Sequence, residues 1–138
     1  MILYLDASVV LRLVLGEADA LADRGRFVGA VASALTEVEC LRTIDRLARQ
    51  GLLSSDDVAD RRQAVYQLLE EVELVDISRA VLRRAGEPFS TPLGTLDAIH
   101  LATALHWRDA TNADLTLGTH DKALAAAARA AGVPVIGG

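Results

Sequence analysis

Four things are scarce in this chain, and each scarcity removes a class of explanation. There is one cysteine, Cys40, in 138 residues, so no disulfide forms within the chain, and the reducing cytoplasm is the expected setting. No cysteine–histidine set at zinc spacing exists, because His100, His106 and His120 are scattered and far from Cys40. No stretch reaches the run of about 18 uncharged apolar residues that a membrane span needs, so no membrane association is expected. Asp6 and Arg12 interrupt the apolar N-terminus and no basic segment precedes it, so no secretory leader is expected either. Basic charge is the fourth shortage. The formal net charge is −5 and Lys122 is the only lysine, which argues against nucleic-acid binding by bulk charge. A nucleic-acid substrate stays open, because acids gathered around a metal would themselves make the total more negative.

What the chain does have is apolar residues, 51% of it, mostly Ala, Leu and Val, with only 4% aromatic. A chain of this length is expected to form one domain, residues 1–138, and to bury roughly two thirds of its unfolded surface without staples. The profile suits helices packed on a sheet and not a disordered chain.

Ile2, Leu3, Tyr4 and Leu5 form a short run of strand-favouring residues that ends in Asp6. Ser8 then opens a helical pattern of Val9, Val10, Leu11, Leu13, Val14 and Leu15, stopped by Gly16. Glu17 to Arg26 reads as short, polar and helical, and residues 28–32 as a second strand. Ser33 or Thr36 is expected to cap a long helix with Leu35, Val38, Leu41, Ile44 and Leu47 at helical spacing, ended by Gly51. Ser54 or Ser55 starts the next helix, with Asp56 and Asp57 in its first turn, running to about Glu71. Val72 to Ile77 alternates as a strand. Ser78 caps a brief helix ending near Gly86, and Glu87 to Thr95, with two of the three prolines, is a loop. Thr95 then caps a helix from Leu96 to about Trp107. Leu115 to Leu117 is a strand, Thr119 caps a helix from His120 to about Ala131, and Val133 to Ile136 is the last strand. No repeat, low-complexity tract or linker interrupts this alternation. It predicts a three-layer α/β/α sandwich with a mainly parallel sheet and right-handed crossovers.

In such a sheet the strand-to-helix junctions share one edge, where ligands bind. Asp6 and Asp121 both fall at such junctions, and Asp97 falls in the first turn of its helix. Taken alone, Asp97 and Asp121 read first as capping residues, since acids there complement the helix dipole. Asp6 is harder to dismiss. An acid at the end of a buried strand costs desolvation energy unless it is paired or holds a cation. Glu39 begins a helix face that continues as Arg42, Arg46 and Arg49, all within about 80° of it at 100° per residue. That face is either a solvated ridge with an ion pair or a ligand followed by a strip for phosphates.

Four segments carry a resemblance that decides between these readings. They are YLDASVVLRLVLGE, SALTEVECLRTI, LGTLDAIHLATAL and LTLGTHDKAL, in that order across nearly the whole chain. They resemble the acidic segments of the PIN-domain ribonucleases, in particular the VapC-type toxins of bacterial toxin–antitoxin pairs. The resemblance selects Glu39 over Glu37, because the glutamate follows Thr36 by three. It implies endonucleolytic cleavage of RNA by metal-activated water, with Asp6, Glu39, Asp97 and Asp121 as direct or water-mediated metal ligands. Ligands that are all oxygen suit Mg²⁺ or Mn²⁺. Ser8 and Thr119 would be supporting hydroxyls, although capping explains them as well. His100, one turn after Asp97, is placed to approach the site. The resemblance further implies a homodimer and a cognate VapB-type antitoxin that inserts a peptide, often with an arginine, among the acids. Leu11, Leu15 and Leu21 are candidate contacts with such partners, or else core. Arg42, Arg46 and Arg49 are candidate contacts with RNA or antitoxin.

Two rivals are weaker. Phosphatases of the haloacid-dehalogenase type also place Asp after the first strand, but want a second Asp where Ser8 stands, and receiver domains want a lysine near the end of a later strand, whereas Lys122 follows Asp121 in a helix. A catalytically silent PIN-like RNA-binding module would not need the four acids. If the arginine ridge contacts phosphates, charge reversal at Arg46 weakens RNA binding and flattens its salt dependence. An unchanged salt slope would leave the ridge as ordinary surface.

Overall fold

The computed structural model describes residues 1–16 and 27–137. The described residues form five strands and six helices: β1 (Ile2–Leu5), α1 (Ala7–Val14), β2 (Gly29–Ser33), α2 (Leu35–Arg49), α3 (Ser55–Glu70), β3 (Glu73–Val75), α4 (Arg79–Ala85), α5 (Thr95–Thr111), β4 (Leu115–Gly118), α6 (Lys122–Ala130) and β5 (Val135–Ile136). The expected helix over Glu17 to Arg26, and Leu21 with it, lies outside the described residues.

The strands pair in the order β3-β2-β1-β4-β5, and every pairing is parallel. β1 is central. Leu3 and Leu5 face one way, into a core with Val9, Val10, Ile44 and Val65 from α1, α2 and α3. Tyr4 faces the other way, into a core with Leu101, Leu105, Leu124 and Leu117 from α5, α6 and β4. Alternation along one strand thus feeds two cores, and the sheet is covered on both faces, as a parallel sheet requires. This is the three-layer sandwich that the alternation of strands and helices predicts. The order reverses between β1 and β4, whose following strands lie on opposite sides of them. That reversal opens a crevice at the carboxyl edge beside Asp6.

Local chemistry sets the element ends. Ser54 Oγ accepts from Asp57 N at 3.1 Å and Asp57 Oδ2 accepts from Ser54 N at 3.2 Å, a reciprocal cap that starts α3. Gly51, at φ +74°, turns the chain out of α2 where a side chain would be strained.

Several expected boundaries differ. α5 starts after Gly94, so Thr95 is its first residue and not its cap, and the helix continues through Thr111 to Asn112 in the left-handed region. No glycine or proline stops it at Trp107, and Thr111 Oγ1 donates back to Trp107 O. β5 is shorter than expected because Pro134 has no N–H, although its carbonyl accepts from Leu117 N at 2.8 Å. α2 follows Ala34, with Ser33 Oγ accepting from Leu35 N and Thr36 buried inside the helix. No described helix is long and apolar enough to cross a membrane.

Leu117 is fully buried on β4 while Leu82 on α4 is half exposed. Leu117→Ala is therefore expected to cost about 2–5 kcal/mol in urea unfolding, and Leu82→Ala less than about 1 kcal/mol. Equal costs would contradict this placement of the core.

Candidate metal centre

Asp6 follows β1 at the sheet's reversal point, and its backbone N–H donates to Gly118 O at the end of β4, 3.0 Å away. The residue is only 5% exposed. Oδ1 accepts from Ala7 N at 2.8 Å; Oδ2 accepts from Ser8 Oγ at 2.9 Å and from Thr119 Oγ1 at 2.8 Å. Three donors thus offset the desolvation of one buried carboxylate. Asp6, and not Ser8, is the N-cap of α1.

The two hydroxyls work in both directions. Ser8 Oγ accepts from His120 N at 3.0 Å, and Thr119 Oγ1 accepts from Asp121 N at 3.0 Å. They tie the turn between β4 and α6 to Asp6 across more than a hundred residues of sequence. Thr119 does not cap α6, because the N–H that its Oγ1 accepts is that of Asp121, the residue before the helix. Asp121 is the cap, with Oδ1 accepting from Leu124 N at 2.9 Å.

Glu39 arrives from α2, in the other helix layer from α5. Its Oε1 lies 2.5 Å from His100 Nε2 on α5, and the same nitrogen is 3.9 Å from Asp6 Oδ1. His100 Nδ1 lies 3.1 Å from the Tyr4 hydroxyl. His100 therefore bridges the first two acids from beneath. Burial works against charging its ring, but the hydrogen bond to Glu39 and the fields of Glu39, Asp6 and Asp97 outweigh that, and His100 titrates above its ordinary value.

Asp97 senses the whole set. Its carboxyl is pushed up to about 6, first by burial, then by Asp121 and Asp6, with a further push from Glu39 against a pull from His100. Next to Glu39, Cys40 is affected too: burial, then Glu39 and Asp6, push its thiol up to about 12. Like charges are held close enough to oppose one another's ionisation, and a bound cation relieves that cost. Among the described residues, no three His, Cys, Asp or Glu side chains stand in a ready-made coordination cluster. Asp6 and Glu39 are engaged by hydroxyls and by His100, and Asp121 by its own helix.

The arginines have partners of their own on α2. Arg42 and Arg49 both reach Asp45, at 3.3 and 3.0 Å, and Arg46 donates to Thr43 Oγ1 at 3.4 Å. The ion pair between Glu39 and Arg42 that the helix spacing allows does not form, because Glu39 turns to His100. Leu11 packs against the core instead of standing free, and Leu15 is partly buried at the end of α1.

The sequence profile of the PIN domain matches residues 3–130. The chain belongs to the PIN-domain family. Among curated PIN-domain relatives, it is 34% identical over 139 residues to "Ribonuclease VapC46" of Mycobacterium tuberculosis (strain ATCC 25618 / H37Rv), covering 97% of this chain and 95% of that one. It is 36% identical over 141 residues to "Ribonuclease VapC35" of the same strain, with the same coverage. Its fold is similar to that of a toxin–antitoxin complex from Klebsiella pneumoniae, with TM-score 0.67, 19% identity and coverage of 96% and 94% of the two chains. It is also similar to VapBC2 from Rickettsia felis bound to a DNA fragment from their promoter, with TM-score 0.67, 16% identity and coverage of 98% and 97%.

Membership in the PIN family sets the phosphatase and receiver readings aside. Ser8, where a phosphatase would want its second Asp, is occupied in supporting Asp6. The feature of this PIN domain least visible in its sequence is Tyr4, since a tyrosine within a strand reads as core, and only its partner His100 shows that its hydroxyl has work to do.

Asp97 gives a direct test of the crowding. Its folded-state value, about 6, lies above the ordinary 3.8, so the folded protein keeps a proton that the unfolded chain has lost. The stability linked to that proton is lost as pH rises from 3.8 to about 6, and adding a divalent cation opposes the loss. Carboxyl-carbon NMR of Asp97 in EDTA is expected to show a midpoint about 6 that falls when Mg²⁺ is added. An ordinary midpoint in EDTA would mean that the acids do not crowd one another.

Proposed function

We propose that this PIN domain is a Mg²⁺-dependent endoribonuclease that hydrolyses RNA phosphodiesters with activated water and serves as the toxin of a toxin–antitoxin pair. The observation that carries this reading is the convergence of Asp6, Glu39, Asp97 and Asp121, from four separate elements, on the carboxyl edge at the point where the sheet order reverses. Supporting it, relatives aligned over 97% of the chain bear the name ribonuclease.

The donor set fits a hard divalent ion, because the four side chains offer only oxygen. Mg²⁺ is the expected ion and Mn²⁺ a substitute. When bound, it supplies the charge that orients the phosphodiester, acidifies water and offsets charge on the departing oxygen. The rest belongs to the chain. Asp6 is clamped by Ala7 N–H, Ser8 and Thr119 and cannot turn away. The same hydroxyls hold the turn that carries Asp121. A bond forms from the water oxygen to phosphorus and the bond to the leaving sugar oxygen breaks. One carboxylate of the set takes the proton from water, and solvent returns one to the leaving oxygen.

The RNA approaches over α2. A cavity of about 330 Å³ opens there, bounded by Glu39, Arg42, Arg46, Val38 and Leu96, so a strand held by Arg42 and Arg46 would lie beside Glu39. A cognate VapB-type antitoxin with a basic segment would neutralise the same acids, and the toxin itself would act as a homodimer in the cytoplasm.

Asp6→Asn is expected to lower Mg²⁺-dependent RNA cleavage by more than about a hundredfold while circular dichroism stays unchanged, and EDTA is expected to abolish the wild-type activity. Full cleavage by a folded Asp6→Asn protein would sink the assignment.

A further inference from the structure

His100 reaches neither substrate nor solvent, since it is completely buried, yet both of its ring nitrogens are committed. Nε2 lies 2.5 Å from Glu39 Oε1, and Nδ1 lies 3.1 Å from the hydroxyl of Tyr4, which is also completely buried. The two rings stand edge to face, with centroids 6.3 Å apart and planes at 74°. In the neutral ring the Tyr4 hydroxyl donates to Nδ1, which places the ring proton on Nε2. In the charged ring Nε2 is protonated as well. Either way Nε2–H donates to Glu39.

Glu39 needs such a partner. Its side chain has three rotatable bonds, is about one fifth exposed, and is rooted on α2, across the sheet edge from α5. Unheld, it would sample several rotamers and turn to water. Tyr4 and Asp6 stand two residues apart at the end of β1, so the strand that supplies the first acid also supplies the anchor for the histidine.

We propose that His100 is a positioning residue. It fixes Glu39 Oε1 over the sheet edge before any cation arrives, leaving Oε2 for the cation, and Tyr4 fixes the ring. The inference rests on the reading of Glu39 as a ligand. A carboxylate already ordered loses less freedom on binding, and partners that orient ligands in this way are worth about 10–100-fold in metal affinity.

The test is Mn²⁺ affinity by titration calorimetry, with RNA cleavage followed in parallel. His100→Leu is expected to weaken Mn²⁺ binding by at least about tenfold. His100→Gln, which keeps an N–H donor at similar reach, is expected to recover most of that loss. In a Glu39→Ala background, His100→Leu is expected to cost nothing further. Wild-type affinity in His100→Leu, or an equal loss with and without Glu39, would overturn the proposal. Because His100→Leu removes a buried hydrogen bond to Tyr4 and can fail to fold, a second measurement uses metal-free wild-type protein. A long-range ¹⁵N spectrum is expected to show a proton on His100 Nε2 whose shift changes in Glu39→Gln. An Nε2 signal indifferent to Glu39→Gln would overturn the proposal without any metal. A wild-type protein that binds no Mn²⁺ would instead overturn the metal reading, and the ring signal would still decide whether His100 holds Glu39.

Discussion

The carboxylate of Asp6 is the constraint around which this structure is built. A buried, unpaired carboxylate costs several kcal/mol, so its position at the end of the central strand is tenable only with donors arranged around it. Those donors come from the helix that follows it and from a turn more than a hundred residues away. Ser8 and Thr119 satisfy Asp6 and, with their own lone pairs, fix the backbone leading to Asp121. Stabilising one acid thus positions another. The parallel sheet makes this possible, because it brings the ends of β1 and β4 side by side.

A second connection spans the two helix layers. α2 and α5 lie on opposite faces of the sheet, and Glu39 and His100 meet over its edge. The result is a rim of acids in which Asp6, Glu39 and Asp121 each have a partner of their own. Burial first, and then the charges of Asp121 and Asp6, raise the Asp97 carboxyl. On the proposed reading a cation would relieve that repulsion, while Asp6 and Asp121 also cap their helices.

Much of this was legible in the sequence, for identifiable physical reasons. The alternation of short apolar runs with helical periods fixed the layers, because burial on both faces of a parallel sheet leaves that pattern. The four acids stand out in the sequence through the order of their segments. Capping was read less well, because a hydroxyl or carboxylate near a helix start has several possible partners. Thr119 was assigned to its own helix and serves Asp6; Asp6 caps α1, where Ser8 had been expected to. His100 was placed near the site by its spacing from Asp97, but nothing local reveals that Glu39, 61 residues earlier, is its partner. That pairing depends on strand order, which no local pattern encodes. For the same reason Glu39 looked set to pair with Arg42, its neighbour one turn on.

The central claim is that these four carboxylates hold one cation site at the sheet's carboxyl edge. Anomalous diffraction from crystals of the protein grown with Mn²⁺ tests it most directly. The account predicts a peak bounded by Asp6, Glu39, Asp97 and Asp121. A peak elsewhere on the molecule, or none with the four carboxylates in these positions at saturating Mn²⁺, would contradict it.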